Sequence, residues 1–451
     1  MRRVAVLGLA VAGTAVVRAF AERGVEMHLA DDATSREHRD LALDVGATLF
    51  EPAHDPEAHG FLDGVDMLVP APGVPPHHPV VVAARSKGIP VRSEIDVAYE
   101  WEMSRPGGPR PMLGVTGTDG KTTTTMLVAA VLGAHGIEAA EVGNTDLPFM
   151  AALGLPVDAF VIECSSFRLE FSEMFRCDSS VWLNLAPDHL DWHGSLGAYR
   201  RAKARLWDHV RPNDVVVAPV ADVDIVAEAR ASGGRVVTFG ADSGDYCVRN
   251  GHLSSPRGPL CPVESLWRTM PHDITNSLAA CAVAVESGLV REGEGIVRAL
   301  SGFVPARHRI ELVADHGGTR WFDDSKATSP HAALTAIRSL PRIVLIAGGR
   351  NKDLDLGQMA SEPRRMAGVV AIGDDAALIE HAFAGVCPVV RAGSMAEAVS
   401  CAASMVEPGV DVLLSPGCTS YDWYDNYGQR GDDFAAQVRR LLSGDAMGPG
   451  A

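Results

Sequence analysis

The sequence predicts an α/β protein of three domains built on mostly parallel sheets. Three observations carry this. Apolar runs of strand length alternate with helix-length stretches along most of the chain, the pattern left by parallel strands joined through crossover helices. The segment Ser104-Arg105-Pro106-Gly107-Gly108-Pro109-Arg110-Pro111 breaks the series, because its prolines and glycines continue neither a helix nor a central strand. The length of 451 residues exceeds what one core holds and suits two or three.

The first expected domain spans 1–105. Arg3 to Leu7 reads as a strand, Gly8-Leu9-Ala10-Val11-Ala12-Gly13 as a loop, the stretch through Arg23 as a helix, and Val25 to Ala30 as a second strand ending at Asp31. This is a Rossmann-like βαβ opening with Ala10 at the middle glycine of the dinucleotide fingerprint. A methyl group there hinders close approach to a pyrophosphate. A more loosely held nucleotide and a plain strand–helix turn are therefore equal readings of this segment. The second expected domain, 106–303, contains apolar strands at Pro111–Val115, Phe160–Glu163, Val181–Leu185 and Val215–Pro219, with a small β insertion within 230–265. The glycine-spaced stretch Gly114 to Lys121 at the end of its first strand gives it the strand–loop–helix order of a P-loop nucleotide-binding domain. The third, 304–451, repeats the Rossmann-like α/β pattern at Ile343–Ala347, Val369–Ile372, Pro388–Val390 and Val412–Leu414, with Pro388 able only to open its strand. Gly444 to Ala451 reads as a loose tail.

Bulk properties exclude several classes. Hydrophobic residues make up 47% and charged residues 22%, an ordinary globular balance, and the net charge of −17 argues against broad binding of nucleic acid. No uninterrupted apolar run is long enough to span a bilayer, and Gly8 and Gly13 interrupt the apolar start, which reads as a strand and helix and not a targeting segment. The eight cysteines form no CxxC pair, as expected of reduced thiols in a cytoplasmic enzyme.

The densest chemical signal is Leu113-Gly-Val-Thr-Gly-Thr-Asp-Gly-Lys-Thr-Thr-Thr-Thr125. Glycines let backbone N–H groups close around phosphate oxygens, Lys121 supplies charge for the β- and γ-phosphates, and the Thr122 hydroxyl suits Mg²⁺. Gly117, Thr118, Asp119, Gly120, Lys121, Thr122 and Thr123 are the expected nucleotide contacts. Val115 stands where the usual phosphate loop has glycine. Glu163, at the end of a strand, is placed to hold Mg²⁺, or is incidental to a helix capped by Ser165 or Ser166. Asn184-Leu-Ala-Pro-Asp-His-Leu-Asp-Trp-His193 packs carboxylates and histidines suited to a divalent ion. Lys203 lies in a basic helix whose default reading is a solvated face. Ala306-Arg307-His308-Arg309-Ile310-Glu311 suits an anionic phosphate. Asp323-Asp324-Ser325-Lys326-Ala327-Thr328 offers an Asp for ribose hydroxyls and a lysine to neutralise a transferred phosphoryl group. Gly348-Gly349-Arg350-Asn351-Lys352 and Ser415-Pro416-Gly417-Cys418-Thr419-Ser420 sit at carboxyl ends of strands, where open α/β sheets bind ligands; a tight turn is the alternative for each.

As an ordered set these motifs resemble the Mur ligases of peptidoglycan synthesis, in particular their glutamate-adding members, over essentially the whole chain. The resemblance implies an ATP-dependent ligase that joins glutamate to UDP-N-acetylmuramoyl-L-alanine through an acyl phosphate. It implies ATP and two Mg²⁺ ions, the first at Thr122 and the second at Glu163, His189 and a carbamylated Lys203. It places Lys121, Glu163, His189, Lys203 and Lys326 in the catalytic machinery. Asn276, Arg309 and Asp324 match ATP contacts. Asn144 matches a substrate contact, and Lys326, Thr328, Lys352, Ser420 and Tyr427 match the incoming glutamate's pocket. Val11, Ala12 and Asp31 fall where relatives hold the uridine nucleotide. A cytoplasmic monomer with no nucleic-acid or membrane partner is expected. The sequence departs from the family at Ala10, Asp273, Asp323 and Ser329-Pro330. D-glutamate is the expected amino acid, with an L-glutamate-adding variant or a folylpolyglutamate-synthase-like ligase as the alternatives.

Overall fold

The computed structural model describes residues 2–50 and 60–443, so the expected tail at 444–451 lies outside the described residues. The chain forms two compact units, one of Met1–Leu185 with Trp192–Phe303, the other of Ala186–Asp191 with Val304–Ala451. Among the described residues, no helix is long and apolar enough to cross a membrane.

In the first unit, β1 (Arg3–Leu7), β2 (Glu26–Ala30), β3 (Thr48–Phe50) and β4 (Met67–Pro70) form a parallel sheet in the order β3-β2-β1-β4. The turn from β1 into the helix Val11–Ala21 is tight enough to need glycine twice. Gly8 has φ +87°, and a Cβ on Gly13 would lie 1.8 Å from the Gly8 carbonyl oxygen.

A larger parallel sheet follows in the same unit. It comprises β5 (Met112–Thr116), β6 (Ala139–Gly143), β7 (Ala159–Glu163), β8 (Ser179–Trp182), β9 (Val215–Pro219) and β10 (Arg235–Phe239), ordered β10-β9-β8-β5-β7-β6. β5 is buried along its whole length, as its continuous apolar run requires of a central parallel strand. The helices Lys121–Gly133 and Pro271–Glu286 cover one face, packing Leu127, Val128 and Val131 with Leu278, Ala282 and Val285 in one core. The insertion is shorter than expected. Only β11 (Cys247–Arg249), β12 (His252–Ser255) and β13 (Gly258–Pro262) form the separate antiparallel sheet, while β10 joins the main sheet as its edge. β8 also ends earlier than the apolar run suggests. Asn184, two residues past its end, uses its main-chain carbonyl to accept the Thr118 N–H.

The second unit holds β14 (Glu311–His316), β15 (Thr319–Asp323), β16 (Ile343–Gly348), β17 (Met366–Ile372), β18 (Val389–Arg391) and β19 (Asp411–Gly417), ordered β14-β15-β19-β16-β17-β18. Only β14 and β15 pair antiparallel. Pro388 precedes β18 directly and its carbonyl accepts the Val369 N–H at 2.9 Å. Ser415-Pro416-Gly417 is not a turn beyond β19 but its last three residues. Pairing with β16 moves from Ile346↔Leu414 to Gly348↔Gly417, so the strand carries an extra residue where Pro416 has no N–H to give.

Candidate functional site

The phosphate loop leaves β5 in the middle of the large sheet. Gly117 has φ +156° and Gly120 has φ +81°; a Cβ on Gly120 would lie 2.7 Å from Oδ1 of the buried Asn276. Gly120 caps the helix that begins at Lys121, so the helix's positive end faces the loop. Lys121 Nζ donates to the carbonyls of Gly117 (3.0 Å) and Thr118 (2.7 Å). Thr122 follows in the first helical turn, and Thr123 beside it is buried.

Lys203 is not on a solvated face. It is 1% exposed, its Nζ donates to the Gly117 carbonyl at 2.5 Å, and it lies 4.5 Å over the Tyr199 ring. Glu163 ends β7, opposite Val115 of β5. Its Oε1 accepts from Asn144 Nδ2 at 2.9 Å, and Asn144 N–H donates to the Glu163 carbonyl. Glu163 is 2% exposed, and its Oε2 is buried with no hydrogen-bond partner. An orphaned carboxylate oxygen is costly unless a cation or donor meets it. Hard oxygen donors at Glu163 and Thr122 fit Mg²⁺.

At the smaller sheet, Asp31 Oδ2 accepts from Leu9 N–H (2.6 Å) and Oδ1 from Ala33 N–H (2.9 Å), which fixes the loop after β1. Val11 is exposed and Ala12 is buried. Leu9, Ala10 and Val11 line a cavity of about 1010 Å³ together with Asp146, Leu147 and Met150.

In the second unit, the ends of three adjacent strands carry the remaining residues: Asp324, Lys326 and Thr328 after β15, Lys352 after β16, and Ser420 after β19. Lys326 Nζ donates to the Tyr427 hydroxyl at 2.6 Å and lies 3.9 Å over that ring. Asp324 is buried, accepting from Ser415 Oγ (2.7 Å) and Ile310 N–H (3.3 Å). Burial pushes its pKa up to about 7, against the opposing pull of the Ser415 bond and of Arg309. The hydrogen bond from His308 Nδ1 to Asp323 Oδ2, at 2.6 Å, raises the His308 pKa. Arg309 sits between His308 (φ +62°) and Ile310 (φ +48°). A β-branched residue in the left-handed region is strained, and the surrounding bonds hold that strain in place. His189 also has positive φ (+53°), with Nε2 3.3 Å from Asp188 Oδ2.

The structure thus brings Lys121, Lys203, Asn276, Asn144 and Glu163 into the first unit, and His189, Arg309, Asp324, Lys326, Thr328, Lys352, Ser420 and Tyr427 into the second. Sequence reasoning passed over two residues. Asn184 Oδ1 accepts from the N–H groups of Thr118 (3.0 Å) and Asp119 (2.9 Å), and its Nδ2 donates to the Asp119 carbonyl (3.2 Å). The Tyr199 hydroxyl donates to Thr118 Oγ1 at 3.2 Å. The available signal for Asn184 was its place just past a strand neighbouring β5. His193, in the same segment as His189, bonds Ser166 Oγ at 2.9 Å and stacks on Phe167.

Comparison with known proteins gives the same ordering. The family description "Mur ligase MurD-like, N-terminal domain" matches residues 2–93, "Mur ligase middle domain" 115–284, and "Mur ligase, glutamate ligase domain" 308–418. A UDP-N-acetylmuramoylalanine–D-glutamate ligase of Frankia casuarinae is 38% identical, covering 97% of this chain and 93% of its own. Another, of Desulfosudis oleivorans, is 37% identical over 98% and 97%. Among solved structures, the UDP-N-acetylmuramate-alanine ligase MurC of Thermotoga maritima superposes with a TM-score of 0.60 at 19% identity, covering 98% of this chain and all of the other. Folylpolyglutamate synthase of Mycobacterium tuberculosis reaches 0.55 at 18% identity over 79% and 96%, a likeness of fold. With three successive domain matches and relatives of this identity over nearly the full length, the chain belongs to the Mur ligase family.

Proposed function

We propose that the protein is an ATP-dependent ligase that adds D-glutamate to UDP-N-acetylmuramoyl-L-alanine in peptidoglycan synthesis, working in the cytoplasm as a monomer. The observation that carries this reading is full-length similarity to D-glutamate ligases, whose names specify both substrate and amino acid. Residues 1–105 hold the uridine nucleotide through Val11, Ala12 and Asp31, residues 106–303 hold ATP, and residues 304–451 receive the amino acid.

A carboxylate is a poor electrophile, so the alanyl carboxylate first attacks the γ-phosphorus of ATP. An acyl phosphate forms and ADP leaves. The glutamate amine then attacks the acyl carbon and loses a proton, and phosphate departs as the amide forms. Gly117 to Thr123 cradle the ATP phosphates with Lys121 as the counter-charge, Asn276 takes the adenine, and Arg309 and Asp324 make further contacts to ATP. Thr122 holds one Mg²⁺, and Glu163, His189 and carbamylated Lys203 are assigned to a second. When bound, the ions supply charge stabilisation for the transferring phosphoryl group. Burial of Lys203 supports its carbamylation, because CO₂ on the amine exchanges a buried cation for an anion that a metal can meet. Asn144 orients the substrate, and Lys326, Thr328, Lys352, Ser420 and Tyr427 form the glutamate pocket.

The test is phosphate release with UDP-N-acetylmuramoyl-L-alanine, offering D- and L-glutamate separately. Release with D-glutamate is expected. Release only with L-glutamate would overturn the stereochemical assignment, and release with neither would overturn the ligase reading.

A further inference from the structure

One of the largest fully buried side chains belongs to a cation with no role above. Arg430, in the helix Tyr427–Leu442, is 1% exposed. Its guanidinium makes five hydrogen bonds, none to a carboxylate: Nε to Ser325 Oγ (2.9 Å), Nη2 to the Ser325 carbonyl (2.8 Å) and to the Cys418 carbonyl (3.2 Å), and Nη1 to the carbonyls of Cys418 and Thr419 (3.2 Å each). Burial lowers its pKa to about 10, so it remains a cation at neutral pH. A buried charge that forgoes an ion pair is costly, and five bonds in a fixed planar fork offset part of that cost while tying together the groups that accept them.

What it holds is specific. Ser325 precedes Lys326, and Thr419 precedes Ser420. The third strand-end loop, which carries Lys352, reaches the same point: a Cβ on Gly349 would lie 3.2 Å from Arg430 Nη1, and Arg350 and Thr419 exchange both main-chain hydrogen bonds. Ser325 Oγ, while accepting from Arg430, donates to the Tyr427 carbonyl at 2.7 Å. One guanidinium therefore ties the loops after β15 and β19, against the loop after β16 and the helix that begins at Tyr427. We infer that Arg430 is a positioning residue for the amino-acid pocket, fixing Lys326, Ser420 and Tyr427 relative to one another through the backbone without touching substrate. This inference rests on the ligase reading above.

The experiment compares wild type with Arg430→Lys in steady-state phosphate release, varying each of the three substrates in turn. A lysine keeps the charge but offers one nitrogen in place of the fork, so KM for D-glutamate should rise about tenfold or more, with KM for ATP and the nucleotide-sugar held within about twofold. Unchanged glutamate KM, or an equal loss toward all three substrates, would overturn the inference. Should Arg430→Lys fail to fold, Ser325→Ala removes two bonds of the same tie and should show a smaller glutamate-selective rise; no selectivity there overturns it equally. Absence of turnover by wild type with glutamate would instead count against the ligase reading.

Discussion

Asp324 offers a direct physical test of the second unit. Its carboxyl is buried, bonded to Ser415 and Ile310, and its pKa stands at about 7 against an ordinary 3.8. Between those values the folded protein holds a proton that the unfolded chain has released. Stability therefore falls as pH rises through that window and levels off above 7. The full shift corresponds to about 4 kcal/mol, of which about 3 kcal/mol falls between pH 5 and pH 8. Asp324→Asn removes the titration at little packing cost, since the amide oxygen still accepts from Ile310 N–H and the Ser415 hydroxyl can turn to accept. Thermal unfolding of both proteins from pH 5 to pH 8 reads the effect as a difference, in which unrelated titrations cancel. The variant should gain on wild type as pH rises, by roughly 5–10 °C over the range for a unit of this size. A difference in melting temperature that stays flat across the range would refute the account of Asp324 as a proton-holding buried carboxyl.

Other expectations follow from neighbouring geometry. His308, its pKa raised by Asp323, contributes stability that is complete below 6.5 and is lost as pH climbs through its folded pKa. His308→Gln should abolish that loss in the same melting series. Glu163→Gln should cut phosphate release by roughly a hundredfold or more while leaving the melting temperature unchanged or higher, because it removes a charge from an oxygen that has no partner in the fold. Lys203→Ala should abolish turnover, and short carboxylates such as formate should partly restore it; full activity in the unsupplemented variant would remove Lys203 from the reaction. Gly120→Ala meets a positive φ and the Asn276 side chain together, so ATP affinity measured by calorimetry should fall by about tenfold or more.

The fold was legible because its signals are local. A buried parallel strand must be apolar throughout and a crossover helix needs its own length, so β1, β5, β7, β9 and β16 stand close to where the apolar runs put them. The misjudged edges have non-local causes. β8 stops at Trp182 because Asn184 is drawn to the phosphate loop, and β10 pairs with β9 although its surroundings read as turns. β19 runs through Pro416, which ordinarily ends a strand, because a register shift removes the need for an N–H there. Val115, where the common phosphate loop has glycine, is wholly buried in the core, whereas Gly114 packs so closely that a Cβ would meet Cys177 Sγ at 2.7 Å. Glycine is thus demanded by packing one residue before the substituted position.

The same distinction governs the site. Residues proposed to meet a ligand advertise themselves by chemical type at a strand end: Lys121 after glycines, Glu163 where β7 runs out, Lys326 behind Asp324. Residues whose partner is another loop carry no such mark. Asn184 spends its side chain on the N–H groups of Thr118 and Asp119, groups that look free for phosphate when the loop is read alone. Either those two N–H groups exchange Asn184 for phosphate when ATP binds, or phosphate is held by the remaining loop amides and Lys121 while Asn184 keeps the loop's shape. Asn184→Ala separates the two. Exchange means the asparagine competes with ATP, so its loss should leave affinity equal or stronger. Shape-keeping means its loss removes the side-chain ties to Thr118 and Asp119, leaves the main-chain bond from Thr118 N–H to residue 184, and should weaken ATP binding by about tenfold. The second outcome is expected, because Asn184 Nδ2 returns a bond to the Asp119 carbonyl and makes the tie reciprocal, an arrangement that a phosphate, having no donor at that point, could not replace.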